Sequence, residues 1–126
     1  MSQRDDSGFK SFTCNGAVSI YDRVKIESTG TIAVAGLAER DIGTAMEAGA
    51  SGDTITVKLL TAAGTHKVRV KEAVTRGAIL YTEAGGEVQD TDQATALVWG
   101  VALETATAED DVIEAMAGIQ PDIAST

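Results

Sequence analysis

Cysteine and histidine are almost absent from this chain of 126 residues, which has one of each, Cys14 and His66. One cysteine cannot form an intramolecular disulfide, and two potential ligands are too few to close a zinc site. Neither side chain lies in a nucleophile motif with a neighbouring base. We therefore expect no cofactor and no metal, with Cys14 packed as a small side chain and His66 solvated in a turn.

Long apolar runs and a leader-like start are also missing. No apolar segment approaches the roughly 20 residues that span a bilayer. The first residues, Met1–Asp6, are polar and charged rather than those of a signal peptide. We expect a chain that is made in a reducing cytoplasm and has no membrane partner.

Aromatic residues are scarce, at 4% of the sequence, and they are Phe9, Phe12, Tyr21, Tyr81 and Trp99. A core built from Ala, Val, Ile and Leu buries less area per residue, so a lone monomer would have modest stability. This composition favours an oligomer or a docked partner.

Cations are absent from the last 50 residues of the chain. Residues 1–76 hold all ten cations and nine acids, whereas residues 77–126 hold ten acids, and the net charge is -9. An acidic chain is repelled by phosphate backbones, so we expect no nucleic-acid partner. The asymmetry could bring the basic part of one copy to the acidic part of another, or simply aid solubility.

The apolar residues that are present alternate with a period of two, which is typical of strands with one buried face. The clearest alternation is Leu97, Trp99, Val101 and Leu103, and shorter runs of the same kind recur between glycine and aspartate turns. Short strands at this spacing predict an all-β chain that folds as a small β-barrel or sandwich.

The two halves of the sequence resemble each other, which predicts an internal pseudo-repeat. Residues 42–47 (IGTAME) return at 99–104 (WGVALE), and this shift of 57 also places Asp53 on Asp110 and Ile55 on Val112. A shift of 56 places residues 17–18 on 73–74 and Gly30 on Gly86. The match uses common residues, so chance similarity is the alternative.

This repeat sets the expected domain organisation. We predict a flexible N-terminal arm at 1–16, a single β domain at 17–118 and a C-terminal tail at 119–126. The pseudo-repeats fall at about 17–60 and 73–117, and residues 9–14 are either part of the arm or a strand.

Four glycines are expected to have structural roles. Gly43 and Gly100 occupy equivalent positions inside strands, where glycine weakens the strand unless the backbone bends or another strand approaches closely. They therefore predict a bulge or a close strand crossing in each half. The pair Gly85-Gly86 predicts a turn.

Two acidic patterns bear on catalysis and metal binding. Glu47 and Glu104 are equivalent in the repeat, and glycoside hydrolysis needs a carboxylate pair, but the aromatic walls of a sugar cleft are lacking. Asp110 and Asp111 lack the spacing of a calcium-binding loop. We expect solvent-facing glutamates, a polar turn and no enzymatic activity.

Two segments are candidates for partner binding. Lys67, Arg69 and Lys71 would share one face of a strand, where they could meet an acidic partner or protect an exposed sheet edge from unwanted pairing. Phe9, Lys10 and Phe12 lie in the N-terminal arm, where the aromatics either add to a partner's sheet or seal the end of the barrel.

The second half of the chain resembles the capsid cement (decoration) proteins of tailed bacteriophages. The resemblance covers about residues 17–117. It rests on Ala73-Val74, Gly77, Tyr81, Gly85-Gly86, Gly100 to Leu103 and Val112, and in the first half on Gly43 to Met46 and Gly52 to Val57. Where that family tends to have a glycine before the last strand, this chain has Ala108 to Asp111.

The resemblance implies a virion structural protein on the exterior of a phage capsid. Such a protein binds the major capsid protein, bridges its subunits and stabilises the shell, often as a trimer, and it has no catalytic residues. The candidate capsid-binding residues are then Phe9, Lys10, Phe12, Lys67, Arg69 and Lys71. The alternatives are a generic β-barrel module that binds carbohydrate or a host surface, and a small hydrolase using Glu47 and Glu104.

Overall fold

The computed structural model describes residues 7–118, which form ten β-strands and one short 3₁₀ turn. No α-helix occurs in this range, so the all-β prediction is confirmed. The strands are β1 (Phe9–Thr13), β2 (Arg23–Ile26), β3 (Ile32–Val34), β4 (Gly43–Ala45), β5 (Thr54–Leu59), β6 (His66–Arg69), β7 (Ile79–Thr82), β8 (Val88–Gln89), β9 (Val98–Ala102) and β10 (Val112–Ala117), and the 3₁₀ turn is Ala84–Gly86.

The strands form two five-stranded antiparallel sheets with the same strand order. The first sheet runs β1-β5-β4-β2-β3 and the second runs β6-β10-β9-β7-β8. Each sheet curls until its two edges meet: a parallel bridge joins Cys14 to Ile32 in the first sheet, and Val70 to Val88 in the second. Every strand of the first sheet therefore has a counterpart five strands later.

The pseudo-repeat extends further towards the N-terminus than the sequence match. Strands β1 and β6 are equivalent and are preceded by Gly8 and Gly64, both with positive φ (85° and 94°). The sequences of β1 and β6 share only their alternation, because each has to supply just a few inward side chains.

The sequence alignment of the last turn is wrong by one residue. The carboxylate of Asp53 accepts a hydrogen bond from the amide of Ala50, and that of Asp111 accepts one from Ala108, so the equivalent pair is separated by 58 residues. The second turn holds one residue more than the first. Gly52 (φ 92°) and Asp110 (φ 69°) take the same left-handed conformation, so the turn is preserved without its glycine.

Residues Phe9–Thr13, placed in the arm by the sequence analysis, form an edge strand that pairs with β5 along its whole length, from Phe9 opposite Lys58 to Thr13 opposite Thr54. The folded unit therefore begins before residue 17, because these backbone groups are hydrogen-bonded within the sheet. The rest of the predicted arm, 1–6, and the predicted tail, 119–126, lie outside the described residues.

Each sheet encloses its own hydrophobic core. Side chains that include Val24, Ile32, Ile55 and Val57 form the core of the first sheet. The core of the second is larger. It consists of Val68, Val70, Val74, Leu80, Val88, Trp99, Ala102, Ala106, Ile113 and Ala115.

The alternation predicted that Val101 and Leu103 would face the core, and for this end of β9 the prediction is wrong. Ala102 lies in the core, whereas Val101 and Leu103 are only half-buried. Trp99 reaches the core because a bulge between β7 and β9 leaves it between the paired residues. The curled sheet has a narrow interior, so it accepts small side chains inside and leaves larger ones outside.

Gly43 and Gly100 lie where neighbouring strands approach most closely. A Cβ atom on Gly43 would sit 2.1 Å from the carbonyl oxygen of Lys58, and one on Gly100 would sit 1.9 Å from that of Met116. Both distances are far inside van der Waals contact. Any side chain here would push β5 away from β4, or β10 away from β9.

We therefore predict that Gly43→Ala and Gly100→Ala each lower the free energy of unfolding by at least about 2 kcal/mol, because strand pairing must break to admit a methyl group. Urea unfolding followed by circular dichroism would measure it. Gly16→Ala is the matched control, since nothing lies within 4 Å of its added Cβ. A loss no larger than that of the control would contradict the role of the strand glycines.

Candidate interaction surface

The two sheets are joined by a buried arginine. Arg23 on β2 is 0% exposed, and its guanidinium is surrounded by acceptors from both sheets. It donates to the carbonyl oxygens of Glu83 (2.7 Å) and Glu87 (3.0 Å) in the second sheet and to the carboxylate of Asp41 (3.1 Å) in the first. The charge is thereby satisfied in a place that water does not reach.

Asp41 connects this arginine to the second core. Its other carboxylate oxygen accepts a hydrogen bond from the indole nitrogen of Trp99 at 3.2 Å. Burial lowers the pKa of Arg23 and raises that of Asp41, and the contact between them opposes both shifts. Each member of the pair also bonds to the second sheet, Arg23 through two carbonyl oxygens and Asp41 through Trp99, so together they hold the first sheet to the second. Either member alone would be a costly buried charge.

A second polar contact lies at the turn between β7 and β8. Arg69 on β6 forms an ion pair with Asp22 of the first sheet, and its Nε lies 3.8 Å from Glu87. Gly85 and Gly86 form the predicted turn with φ of 74° and 75°. The amide of Gly86 donates to Ala35 of the first sheet at 3.0 Å, so this turn packs directly on the other half.

Glu87 has a perturbed acidity at this contact. Burial, together with a hydrogen bond to Asp110, raises its pKa to about 7, although the cations Arg69 and Lys71 favour its charged form. The folded chain therefore holds a proton on Glu87 at a pH where the unfolded chain has released it.

His66 does not lie in a solvated turn, so that expectation is wrong. It is buried in β6, with Nε2 3.0 Å from the carbonyl oxygen of Leu59 and its ring edge-on to Trp99 at 6.4 Å between centroids. Burial lowers the pKa of His66. His66 comes directly after the segment that connects β5 of the first sheet to β6 of the second, and its imidazole packs beside Trp99 instead of extending into solvent.

The two repeat glutamates each bind backbone in their own sheet. Glu47 accepts a hydrogen bond from the amide of Thr56 at 3.0 Å, and Glu104 accepts one from Glu114 at 2.6 Å. These equivalent bonds explain why glutamate recurs there. Neither residue lines a cavity of about 70 Å³ whose walls are Arg40, Asp41, Leu60, Thr82, Leu97, Val98, Trp99 and Gly118.

Cys14 and the Asp110-Asp111 turn both lie in environments that stabilise the fold. Cys14 is buried, and burial raises the pKa of its thiol. Asp111 accepts hydrogen bonds from the amides of Thr107 and Ala108 within its turn. Across residues 7–118, no group of three or more His, Cys, Asp and Glu side chains is placed to hold a metal ion.

Three of the six candidate capsid-binding residues are engaged within the chain. Arg69 forms an ion pair with Asp22 of the first sheet, and therefore serves the contact between the sheets. Phe12 packs against the first core, and the Lys10 ammonium lies 6.0 Å from the centre of its ring.

The other three are open to solvent. Lys67 on β6 and Lys71 just after it are exposed. Phe9 on β1 is partly exposed beside the ammonium of Lys58, 5.8 Å from the ring centre. These exposed groups belong to both halves of the chain, and the structure does not bring all six candidates into one patch.

A row of apolar side chains that sequence reasoning missed crosses the outside of the second sheet. Ile79 on β7 pairs with Val101 on β9, which pairs with Met116 on β10, and we call these three residues the second outer row. Ile79 is 51% exposed and Met116 is 54% exposed. The signal was present in the sequence, but the alternation was assigned to the interior.

No helix among residues 7–118 has the length and apolar character needed to cross a membrane.

The fold and its contacts define an all-β protein made of two tandem curled sheets of identical topology. No family model and no curated protein sequence matches the chain. Among solved structures, it is similar to the N base of the head fiber protein gp8.5 of bacteriophage phi29, with a TM-score of 0.74 and 18% sequence identity. The match covers 87% of this chain and 92% of the other, so the two share a fold over nearly their whole length.

Removing the buried arginine should separate the sheets. We predict that Arg23→Met lowers the free energy of unfolding by about 3–5 kcal/mol, because Asp41 is left as an uncompensated buried charge. Lys71→Met is the matched control, since it removes an exposed cation and should cost under about 0.5 kcal/mol. Equal urea midpoints for the two variants would show that the buried pair does not join the sheets.

Glu87 should make stability depend on pH. Its raised pKa stabilises the folded chain fully below the usual carboxyl range near pH 4.5, and this contribution is lost as pH rises to about 7. Glu87→Gln should therefore be more stable than the parent by about 1–3 kcal/mol at pH 8 and equal to it near pH 4.

Urea unfolding at several pH values measures this difference. Glu109→Gln, at an exposed carboxylate, is the control and should retain the pH dependence of the parent. A Glu87→Gln variant that loses stability at pH 8 would show that the ion pair with Arg69 outweighs burial.

Proposed function

We propose that this chain is a bacteriophage virion structural protein that binds the outer surface of the capsid and stabilises it by bridging subunits of the major capsid protein. The observation that carries the proposal is the fold shared with a phage head fiber base over 87% of the chain. The resemblance of its sequence to capsid cement proteins points to the same place on the virion. In this role the chain is not an enzyme.

The contacts between the two sheets support a mechanical role. The buried ion pair of Arg23 and Asp41 is used to hold the sheets together, and the repeat glutamates bind backbone. A rigid unit with exposed groups on both halves can contact more than one subunit of a shell. Weak contacts from many copies then add up, because each second contact is effectively intramolecular.

The proposed partners are the major capsid protein and further copies of this chain, with three copies in each assembly. A capsid contact by the second sheet would use the exposed lysines Lys67 and Lys71, and one by the first would use Phe9. An acidic patch on the shell would pair with the lysines, and such pairs mainly raise the rate of association.

A second candidate is the base of a fibre that projects from the head. The similarity to the head fiber base of phage phi29 favours it directly. Both roles place the chain on the capsid exterior. They differ in what the chain holds: a cement protein links shell subunits, whereas a fibre base carries a further structure outwards.

Binding to capsids tests the proposal. Expanded shells assembled from the major capsid protein encoded with this chain would be incubated with the purified protein and sedimented. We expect saturable binding and a higher temperature of shell disruption. An electron cryomicroscopy map should show each bound copy, or each trimer, touching more than one capsid subunit.

The lysines give a sharper form of the test. We predict that Lys67→Glu combined with Lys71→Glu weakens capsid binding at least about tenfold at low salt and makes the remaining binding less sensitive to salt, because an attraction that salt screens is replaced by a repulsion that salt relieves. Arg76→Glu, at another exposed cation of the second repeat, is the control. Absence of wild-type binding to the shell, with selective hits on a glycan array, would replace the proposal with a carbohydrate-binding module.

A further inference from the structure

One end of the second sheet packs against the outer face of the first sheet, and we call this arrangement the end-on-face contact. On the outside of the first sheet, Arg23, Thr44 and Lys58 are directly paired across β2, β4 and β5, and we call them the first outer row. This row is covered by the second sheet: Arg23 and Thr44 are fully buried, and the ammonium of Lys58 donates to the carbonyl oxygen of Thr65.

The covering element is one end of the second sheet. It consists of Thr82 and the β7–β8 turn, residues 83–87, and we call it the second turn end. Its carbonyl oxygens at Glu83 and Glu87 accept from Arg23, and the hydroxyl of Thr82 donates to Leu37 of the first sheet. Thr82 is 2% exposed.

The repeat supplies an uncovered copy of each of these two surfaces. The counterpart of the first outer row is the second outer row, because Ile79, Val101 and Met116 hold the same positions in β7, β9 and β10. The counterpart of the second turn end is Ile26 with the β2–β3 turn, residues 27–31, which we call the first turn end. Ile26 corresponds to Thr82 and is 46% exposed.

The covered surfaces and their uncovered counterparts differ in polarity, and this difference indicates what binds the uncovered ones. Where the chain contacts itself, the facing groups are polar, namely Arg23 and Thr82. At the uncovered counterparts these two positions are isoleucines, Ile79 and Ile26. Exposed apolar side chains at equivalent places on both surfaces are what a second contact of the same geometry would bury.

Charge favours the same pairing. Residues 7–63 hold five cations and six acids, a formal charge of -1, whereas residues 64–118 hold four cations and ten acids, a formal charge of -6. A symmetric contact between two second outer rows would bring the two acidic halves together. A head-to-tail contact places the acidic half of one copy against the nearly neutral half of the next.

We propose that the second outer row binds the first turn end of a neighbouring copy of this chain, repeating between chains the end-on-face contact that joins the two sheets within one chain. The contact is heterologous and links copies head to tail, and in the trimer proposed above three such contacts close a ring. The inference rests on the self-association included in the proposed function, and supplies the surface through which it occurs.

Two single variants test the two sides of the contact. Ile79→Glu places a charge in the second outer row, and Ile26→Glu places one on the first turn end. Native mass spectrometry and sedimentation velocity should show the wild-type ring, and each variant should associate at least about tenfold more weakly, as expected for charging the centre of an interface. Ile20→Glu, at an isoleucine that is 41% exposed outside both surfaces, is the control and should form the wild-type ring.

Mixing the variants distinguishes the head-to-tail contact from a symmetric one. The Ile79→Glu chain keeps an intact first turn end and the Ile26→Glu chain keeps an intact second outer row, so an equimolar mixture should form a heterodimer that grows no further. Circular dichroism and thermal unfolding would show that each variant is folded.

Three results would overturn the inference: a wild-type chain that stays monomeric up to about 100 μM, rings that persist in Ile79→Glu, or dimers formed by Ile26→Glu alone. Sedimentation of the same proteins with capsids distinguishes a failure of the proposed function from a failure of the head-to-tail contact. A wild-type ring that does not bind capsids would contradict the proposed function and leave the contact standing, whereas a monomer that binds capsids would do the reverse.

Discussion

The structure depends on the way Arg23 is buried between two small sheets. Neither sheet has a large core, because the curled interior accepts mainly alanine, valine and isoleucine. A guanidinium that reaches acceptors in both sheets, with Asp41 compensating its charge, gives their contact a defined geometry. These hydrogen bonds fix the orientation of one sheet on the other, because an apolar contact alone would let the sheets shift relative to each other. The same pair makes the contact intolerant of change, because either partner alone is a buried charge.

The repeat presents each surface of the internal contact a second time. Each sheet has an outer row and a turn end, and one of each is used inside the chain. The remaining pair is exposed and has isoleucine at both Ile26 and Ile79, where the internal contact has Thr82 and Arg23. Polar groups therefore mark the contact within the chain, whereas the uncovered counterparts of these positions are apolar. In the proposed role, strength would come from the number of copies rather than from the stability of one copy.

Sequence reasoning succeeded where the physical rule is local. Alternation with a period of two predicted strands, and the strand glycines predicted a close approach because no other residue leaves room for a facing carbonyl. It failed where the answer depends on curvature: Val101 and Leu103 alternate as buried residues do, yet they lie outside because Ala102 and Ala115 fill the narrow interior. The burial of His66 was missed for a related reason, since its environment is made by Leu59 and Trp99 from other strands.

The all-β class, the tandem repeat and the scarcity of groups for catalysis or metal binding could all be predicted before the fold was known, because they follow from residue types and their spacing along the chain. The fold was needed to establish which face of each strand is inside, which residues pair across the two halves and which outer surfaces stay uncovered. Those features come from the curl of each sheet and from the packing of one sheet on the other. A one-dimensional pattern carries no information about the partner that covers a given face.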